Sequence, residues 1–235
     1  MSTLIGVCTT RSGQTSTSWA TSLAWSLAAQ RSVVLVDCDM EGGTIADLLY
    51  LRLDDRSLAN CFGGRPVTGA VLAAQEIPVP DRPHLRVIPG LRSAFGYEIG
   101  ECLRAIAPAF SELRCDVVIV DLGHPWAHPG LRSPRAAADA VCSVFHRVFI
   151  VLRDDPALLS RSIDVLRTAK PPHGELIVCE QRGTAHRRVM TETMEREFPN
   201  LPIRGGWQWD ERRAARMADT GTPMTLAGVE AELHI

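Results

Sequence analysis

The sequence predicts an α/β fold in which a mostly parallel sheet of about seven strands is flanked by helices on both faces. Three observations lead there. Short β-branched runs alternate with longer stretches of helical spacing, the order expected of successive βαβ units. Several runs are apolar throughout, as strands buried on both faces are. The hydrophobic share of 46% over 235 residues supports a large core. With no internal repeat, low-complexity tract or linker, residues 1–235 are expected to form a single domain.

Strands are expected over residues 4–8, 33–37, 85–88, 117–121, 148–152 and 176–179, with a weaker candidate at 202–205. Between the first two, Trp19, Ala20, Leu23, Ala24, Leu27 and Ala28 recur at helical spacing. Further helices are expected over 44–51, 98–113, 156–168, 186–198 and 210–218. Stretches 63–66, 78–83 and 124–134 are rich in Pro and Gly and read as loops.

Composition excludes several classes. The formal charge of -2 gives no global attraction to nucleic acid or to an anionic membrane. Lys170 is the sole lysine, and the other 24 of 25 basic residues are Arg. The seven cysteines are odd in number and contain no C-x-x-C, which fits reduced thiols in a cytoplasmic protein. Strand-like sequence begins within three residues of Met1, so no signal peptide is expected, and no apolar run nears the ~18 residues of a membrane span.

The most informative stretch is residues 4–18, which has the order strand, loop, helix start. A phosphate-binding loop reads G-x-x-x-x-G-K-[ST]; its glycines let backbone N–H groups wrap the phosphates and its lysine neutralises them. Here Thr10 and Thr15 stand at the two glycine positions, Ser16 at the lysine and Thr17 at the hydroxyl that reaches Mg²⁺. The amides and dipole at the start of the following helix face the loop, an anion site by geometry. Two apolar strands end in carboxylates, one in Asp37 and Asp39, the other in Asp121. Ligands of open α/β sheets bind beyond the carboxyl ends of strands, so these three Asp are expected to converge near Thr17. The bland alternative is that they cap turns.

These residues resemble the ParA/MinD family of P-loop ATPases, whose deviant motif reads K-G-G-x-G-K-T-T. Without gaps, Arg11 falls on the signature lysine that reaches into the partner subunit. Ser12 and Gly13 fall on the two glycines, Gln14 on the variable position, Thr15 on the next glycine, Ser16 on the Walker lysine, and Thr17 with Ser18 on T-T. Asp37-x-Asp39 resembles the family's D-x-D, whose second Asp positions the attacking water, and Asp121 resembles the Walker B Asp. The resemblance thus implies Thr17, Asp37 and Asp121 around Mg²⁺ where nucleotide binds, and Asp39 as a vestigial catalytic position. Glu180 holds the place of an adenine-reading Asn, and an acceptor-only carboxylate lacks the amide's donor. Residues 41–49 and 85–90 resemble the CpaE/TadZ branch, which localises pilus machinery; 138–141 and 148–152 match the segment after Walker B, and 209–210 with 220–223 resemble the family's P-x-D…G-x-P ending.

The departures shape the functional expectation. A hydrogen bond to a charged group contributes about 1.5–3 kcal/mol, so losing the lysine ammonium at Ser16 weakens nucleotide binding about 10- to 150-fold. Arg11 is expected to fold back onto Asp37, Asp39 or Asp121 as a counter-ion, or to contact phosphates itself. No cofactor is expected, with weak binding of ATP or ADP and Mg²⁺ left open. The reading is a noncatalytic pseudo-ATPase acting as a localisation, assembly or regulatory factor of the CpaE/TadZ kind, a homodimer working with protein partners of a secretion, pilus or positioning system. The alternative is a slow ATP-dependent dimerising switch for partitioning or positioning cargo.

Other features carry less. His124 and His128 have i, i+4 spacing, but Pro125 and Pro129 make this a loop, and a zinc site lacks a third ligand. Seven arginines (182, 187, 188, 196, 212, 213 and 216) make the last third basic; Glu192, Glu195, Glu197 and Glu211 blunt the patch, so a solvated face is favoured over DNA binding. The tail 224–235 has no Lys or Arg, against direct membrane binding. Trp207 and Trp209 suit core packing or a partner patch.

Overall fold

A computed structural model describes residues 2–13, 15–62, 66–92, 99–126, 133–180, 184–208 and 210–226. Its centre is an eight-stranded sheet: β1 (Thr3–Cys8), β2 (Val33–Asp37), β3 (Ile77–Val79), β4 (Arg82–Ile88), β5 (Val117–Asp121), β6 (Arg147–Arg153), β7 (Glu175–Glu180) and β8 (Ile203–Gln208). The strand order is β3-β4-β2-β5-β1-β6-β7-β8, parallel throughout except where β3 runs antiparallel to β4. The apolar runs behave as their composition dictates: β2 and β5 are buried at every residue. The eighth strand, β3, comes from residues expected to be loop. Pro78 is tolerated because β3 is the sheet edge, where a missing N–H costs no interior ladder bond. The weak strand candidate at 202–205 is present, shifted and lengthened as β8.

The helices are α1 (Ser16–Leu27), α2 (Ile45–Leu48), α3 (Gly69–Ala73), α4 (Ile99–Phe110), α5 (Pro134–Val144), α6 (Pro156–Ala169), α7 (Thr184–Glu197) and α8 (Glu211–Thr220), with a 3-10 turn at Leu58–Cys61. Helix α5 was not expected, although its start carries a clear signal. Ser133 caps the Ala136 amide, and Pro134 fills the first turn, where its missing N–H costs nothing.

Two cores sandwich the sheet. On one face α1 packs Trp19, Ala20, Leu23 and Leu27 against Val7, Leu35, Ile119 and Phe149. On the other, Leu103, Ile106, Phe110, Val141 and Leu166 pack against Val34, Val36, Val118 and Ile150. Among the described residues no helix is long and apolar enough to cross a membrane. All seven cysteines are free thiols, six of them buried. Burial pushes the Cys8 and Cys38 thiols well above the ordinary range, which fits small apolar packing groups.

The outer strands β6, β7 and β8 are tied by charge at their amino ends. Arg147 reaches Glu175 at 2.7 Å, and Arg204 reaches the same carboxylate at 2.6 Å. Burial raises the Glu175 carboxyl, but the two guanidiniums outweigh it and hold it below its usual range. A depressed carboxyl stabilises the fold above its unfolded pKa, and that stabilisation is lost as pH falls through its folded value. Glu175→Gln is therefore expected to lose about 1–3 kcal/mol at neutral pH, with the deficit shrinking toward acid; denaturant melts of both proteins across pH test this.

Candidate functional site

Strand β1 ends at Cys8 in the middle of the sheet, and the chain turns through residues 9–15 into α1. The loop keeps the backbone shape of a phosphate cradle. Gly13 has φ 76°, and Thr15 has φ 66° and ψ 14°, left-handed geometry that a β-branched residue adopts only under constraint. Thr15 is the N-cap of α1 and offers no side-chain cap, and the first turn contains no acidic residue. The helix therefore presents its first amides to the loop, as an anion site requires.

The substituted residues have been absorbed into packing. Thr10, fully buried at the first glycine position, places its hydroxyl 2.8 Å from that of Ser162 on α6. The Thr15 hydroxyl bonds the Cys179 thiol at the end of β7. The loop is also held by the Thr9 amide donating to the Gly123 carbonyl at 2.9 Å and by Arg153 Nη1 donating to the Gly13 carbonyl at 3.0 Å. Arg153 closes β6, and sequence reasoning missed it because its approach to the loop exists only through the β1–β6 pairing.

The three Asp do assemble at this end. Asp37 and Asp121 are direct register partners on β2 and β5, both buried. Asp37 accepts from the Ile45 amide at 2.9 Å and from the Asp39 amide at 3.4 Å. Its carboxyl is wedged between glycines: a Cβ at Gly43 would lie 2.5 Å from Asp37 Oδ2, and one at Gly90 would lie 2.8 Å from its Cγ. Gly123 takes φ +58° with the Asp39 carboxyl so close that a Cβ would sit 2.5 Å from its Cγ. These glycines are functional-end residues that only the tertiary contacts identify. Asp121 accepts from the Gly123 amide at 3.2 Å, and its Oδ2 is buried with no hydrogen-bond partner among the described residues.

Burial raises the Asp37 carboxyl to about 8, with Asp121 adding to the rise and the Ile45 and Asp39 amides opposing it. Burial likewise raises Asp121 to about 6, against the Thr17 hydroxyl and with the charge of Asp39. No guanidinium is among the groups that lower either one. The counter-ion role expected of Arg11 is not seen: Arg11 takes part in none of the described ion pairs.

A cavity of about 450 Å³ lies over the loop. Its lining includes Ser12, Gly13, Thr15, Ser16, Thr17 and Ser18 from the loop and helix start, with Asp39, Glu41 and Thr44 from the segment after β2. Gly123 and His124 close the far side, where His124 Nε2 lies 3.0 Å from Glu41 Oε1. Arg11, Asp37, Asp121 and Glu180 do not line it. Glu180 instead pairs with Arg187 at 3.0 Å. Gln14, His128, Arg182, Trp209 and residues 227–235 lie outside the described residues. The described lining thus joins hydroxyls to two carboxylates and contains neither Lys nor Arg. The left-handed backbone at Gly13 and Thr15 offers amides to an anion, while no Lys or Arg among the described lining residues stands in for the motif's lysine.

Strand order, loop position and the paired carboxylates give a P-loop-type α/β fold. Sequence comparison finds no matching family model and no matching curated protein. Comparison of structures places the fold with the ParA/MinD ATPases. A ParA family ATPase from Chlorobium tepidum matches at TM-score 0.71 and 18% identity, over 94% of this chain and 89% of that one. MinD from Pyrococcus horikoshii, complexed with Mg-ADP, matches at TM-score 0.66 and 14% identity, over 94% and 86%. The MinC:MinD complex of Aquifex aeolicus matches at TM-score 0.67 and 14% identity, over 94% and 87%.

Two outcomes follow from the site. Thr10→Gly, which restores the motif's glycine, is expected to destabilise the fold by about 1–3 kcal/mol because it removes a buried hydroxyl pair; a urea melt measures it. A carboxyl raised in the folded state binds a proton that the unfolded chain releases near pH 4, so stability falls as pH rises from about 4 toward 8. Asp37→Asn keeps an acceptor for the Ile45 amide and is expected to flatten that slope, raising Tm at pH 8 on the order of 5 °C; melting curves at pH 5 and pH 8 decide.

Proposed function

We propose that this chain is a ParA/MinD-type pseudo-ATPase, a dimeric localisation, assembly or regulatory factor that works without nucleotide turnover. The observation that carries the proposal is the lining of the loop cavity, hydroxylated and acidic where an ATPase needs cations. The hydroxyl ties of Thr10 and Thr15 support it, since they spend on packing the positions that glycine leaves open for phosphate. Arg11, at the place of the signature lysine and half-exposed, is left to face a second subunit. The likeness to a MinD captured with MinC supports a protein partner. The CpaE/TadZ-like motifs favour a secretion or pilus assembly as the setting, in the cytoplasm.

A slow, ATP-dependent dimerising switch is the second reading. It is favoured by the left-handed loop backbone and the uncapped start of α1, which still offer amides to an anion.

Calorimetric titration with MgATP and MgADP separates the two. The pseudo-ATPase gives no saturable heat, and sedimentation finds a dimer without nucleotide. The double variant Thr15→Gly/Ser16→Lys is expected to gain about 10- to 150-fold in MgADP affinity. Steady ATP hydrolysis by the natural chain, abolished by Asp39→Ala, would establish the switch instead.

A further inference from the structure

The sheet has a second cavity, at the opposite end from the loop. Helix α1 leaves the loop at Ser16 and reaches Trp25 nine residues on, about 14 Å along its axis. There Trp25 faces Arg82, the first residue of β4, and the end of α8 with the chain that follows it. Between them lies a cavity of about 420 Å³. Three arginines line it: Arg82, Arg213 and Arg216. Among the described residues no carboxylate does. The remaining lining is Trp25 with Thr222, Pro223, Met224 and Thr225.

The arginines are arranged, not merely present. The Arg82 guanidinium lies 4.6 Å above the Trp25 ring, a cation–π contact that fixes its plane. Trp25 is itself buried in the core beneath α1. Arg82 Nε is buried and has no hydrogen-bond partner among the described residues. A buried donor without an acceptor costs free energy, so an anion that accepts from it is favoured. Arg213 is steadied by Asp210 at 3.3 Å, the N-cap of its own helix. Arg216 joins no described ion pair. Three guanidiniums, only Arg213 of them with a described carboxylate partner, line one cavity and carry net positive charge, and their planar forks suit phosphate oxygens. The volume falls in the range of small-ligand sites.

We propose that this cavity binds a small phosphorylated molecule, its phosphate held by Arg82, Arg213 and Arg216 and its apolar body resting on Pro223 and Met224. The site would couple to the loop through α1, which begins at one cavity and passes the other. The proposal stands apart from the reading of the loop as a pseudo-ATPase, because neither site shares a lining residue with the other.

The test is calorimetry of the full chain with inorganic phosphate, adenosine monophosphate and glucose 6-phosphate, each at millimolar concentration. At least one phosphorylated probe is expected to saturate at one site per chain, with adenosine and glucose silent. Arg216→Gln, an exposed position whose loss spares the core, is expected to weaken that binding at least about tenfold, and Arg82→Lys is expected to weaken it by less than Arg82→Gln. Thr17→Ala, in the loop cavity, should leave it unchanged. Absence of saturable binding by all three probes overturns the proposal. So does binding that Thr17→Ala abolishes and Arg216→Gln spares, or binding of duplex DNA alone, which would make these arginines part of a nucleic-acid face.

Discussion

Two buried carboxyls, Asp37 and Asp121, lie side by side at the ends of adjacent parallel strands, and the loop end of the molecule is arranged around that fact. Among the described residues neither has a guanidinium to balance it, so the pair is relieved by protons and by backbone amides. The glycines at 43, 90 and 123 follow from it: only residues without a Cβ let the neighbouring loops close over Asp37 and Asp39. Where those loops close, Asp39 and Glu41 reach the cavity mouth, and its acidic character is set. The departure of the loop from the ATPase motif is thus part of a wider charge pattern. Burial raises the two carboxyls, and the loop is stitched to its neighbours by hydroxyls.

Much of this was legible in the chain. β2 and β5 begin and end where their apolar runs do, because a strand buried on both faces has no polar position to blur its edges. The convergence of Asp37, Asp39 and Asp121 follows from parallel topology, which brings strand ends to one side. The missed elements had weaker local signals. β3 is three residues long and holds Pro78, and its pairing depends on β4 being the neighbour at the edge. α5 is rich in alanine, and the proline-rich stretch before it hid the Ser133–Pro134 start.

The site was legible in its residues and less so in their contacts. Nothing local to Arg11 decides whether it turns inward, and nothing local to Arg153 tells that β6 will bring it to Gly13. The close approaches at Gly43 and Gly90 join segments some fifty residues apart. The same holds for the second cavity: Trp25, Arg82 and Arg216 belong to α1, β4 and α8, three elements with no sequence relation. Helical and strand periodicity reports which face of an element is buried, and it is silent on which side chains meet across elements.

The two ends of α1 have opposite electrostatic character, and this bears on how such a molecule could signal without hydrolysis. At its start, amide donors face carboxylates and hydroxyls; near its end, Trp25 carries a guanidinium on its ring in a cavity whose charged residues, among those described, are all arginine. In an ATPase switch the γ-phosphate supplies the differential binding energy between states, and the proposed pseudo-ATPase would need another source. On that reading, a ligand that shifts this fold between states would bind elsewhere and favour one state over the other. α1 is buried along most of its length and in contact with β1, β2, β4, β5 and β6. An anion drawing Arg82 and Arg216 together would pull the start of β4 and the end of α8 toward α1, and β4 pairs directly with β2, the strand that ends in Asp37. Leu85 to Ile88 of β4 pair with Val33 to Val36 of β2, so the strand that leaves the second cavity runs beside the one that ends in Asp37.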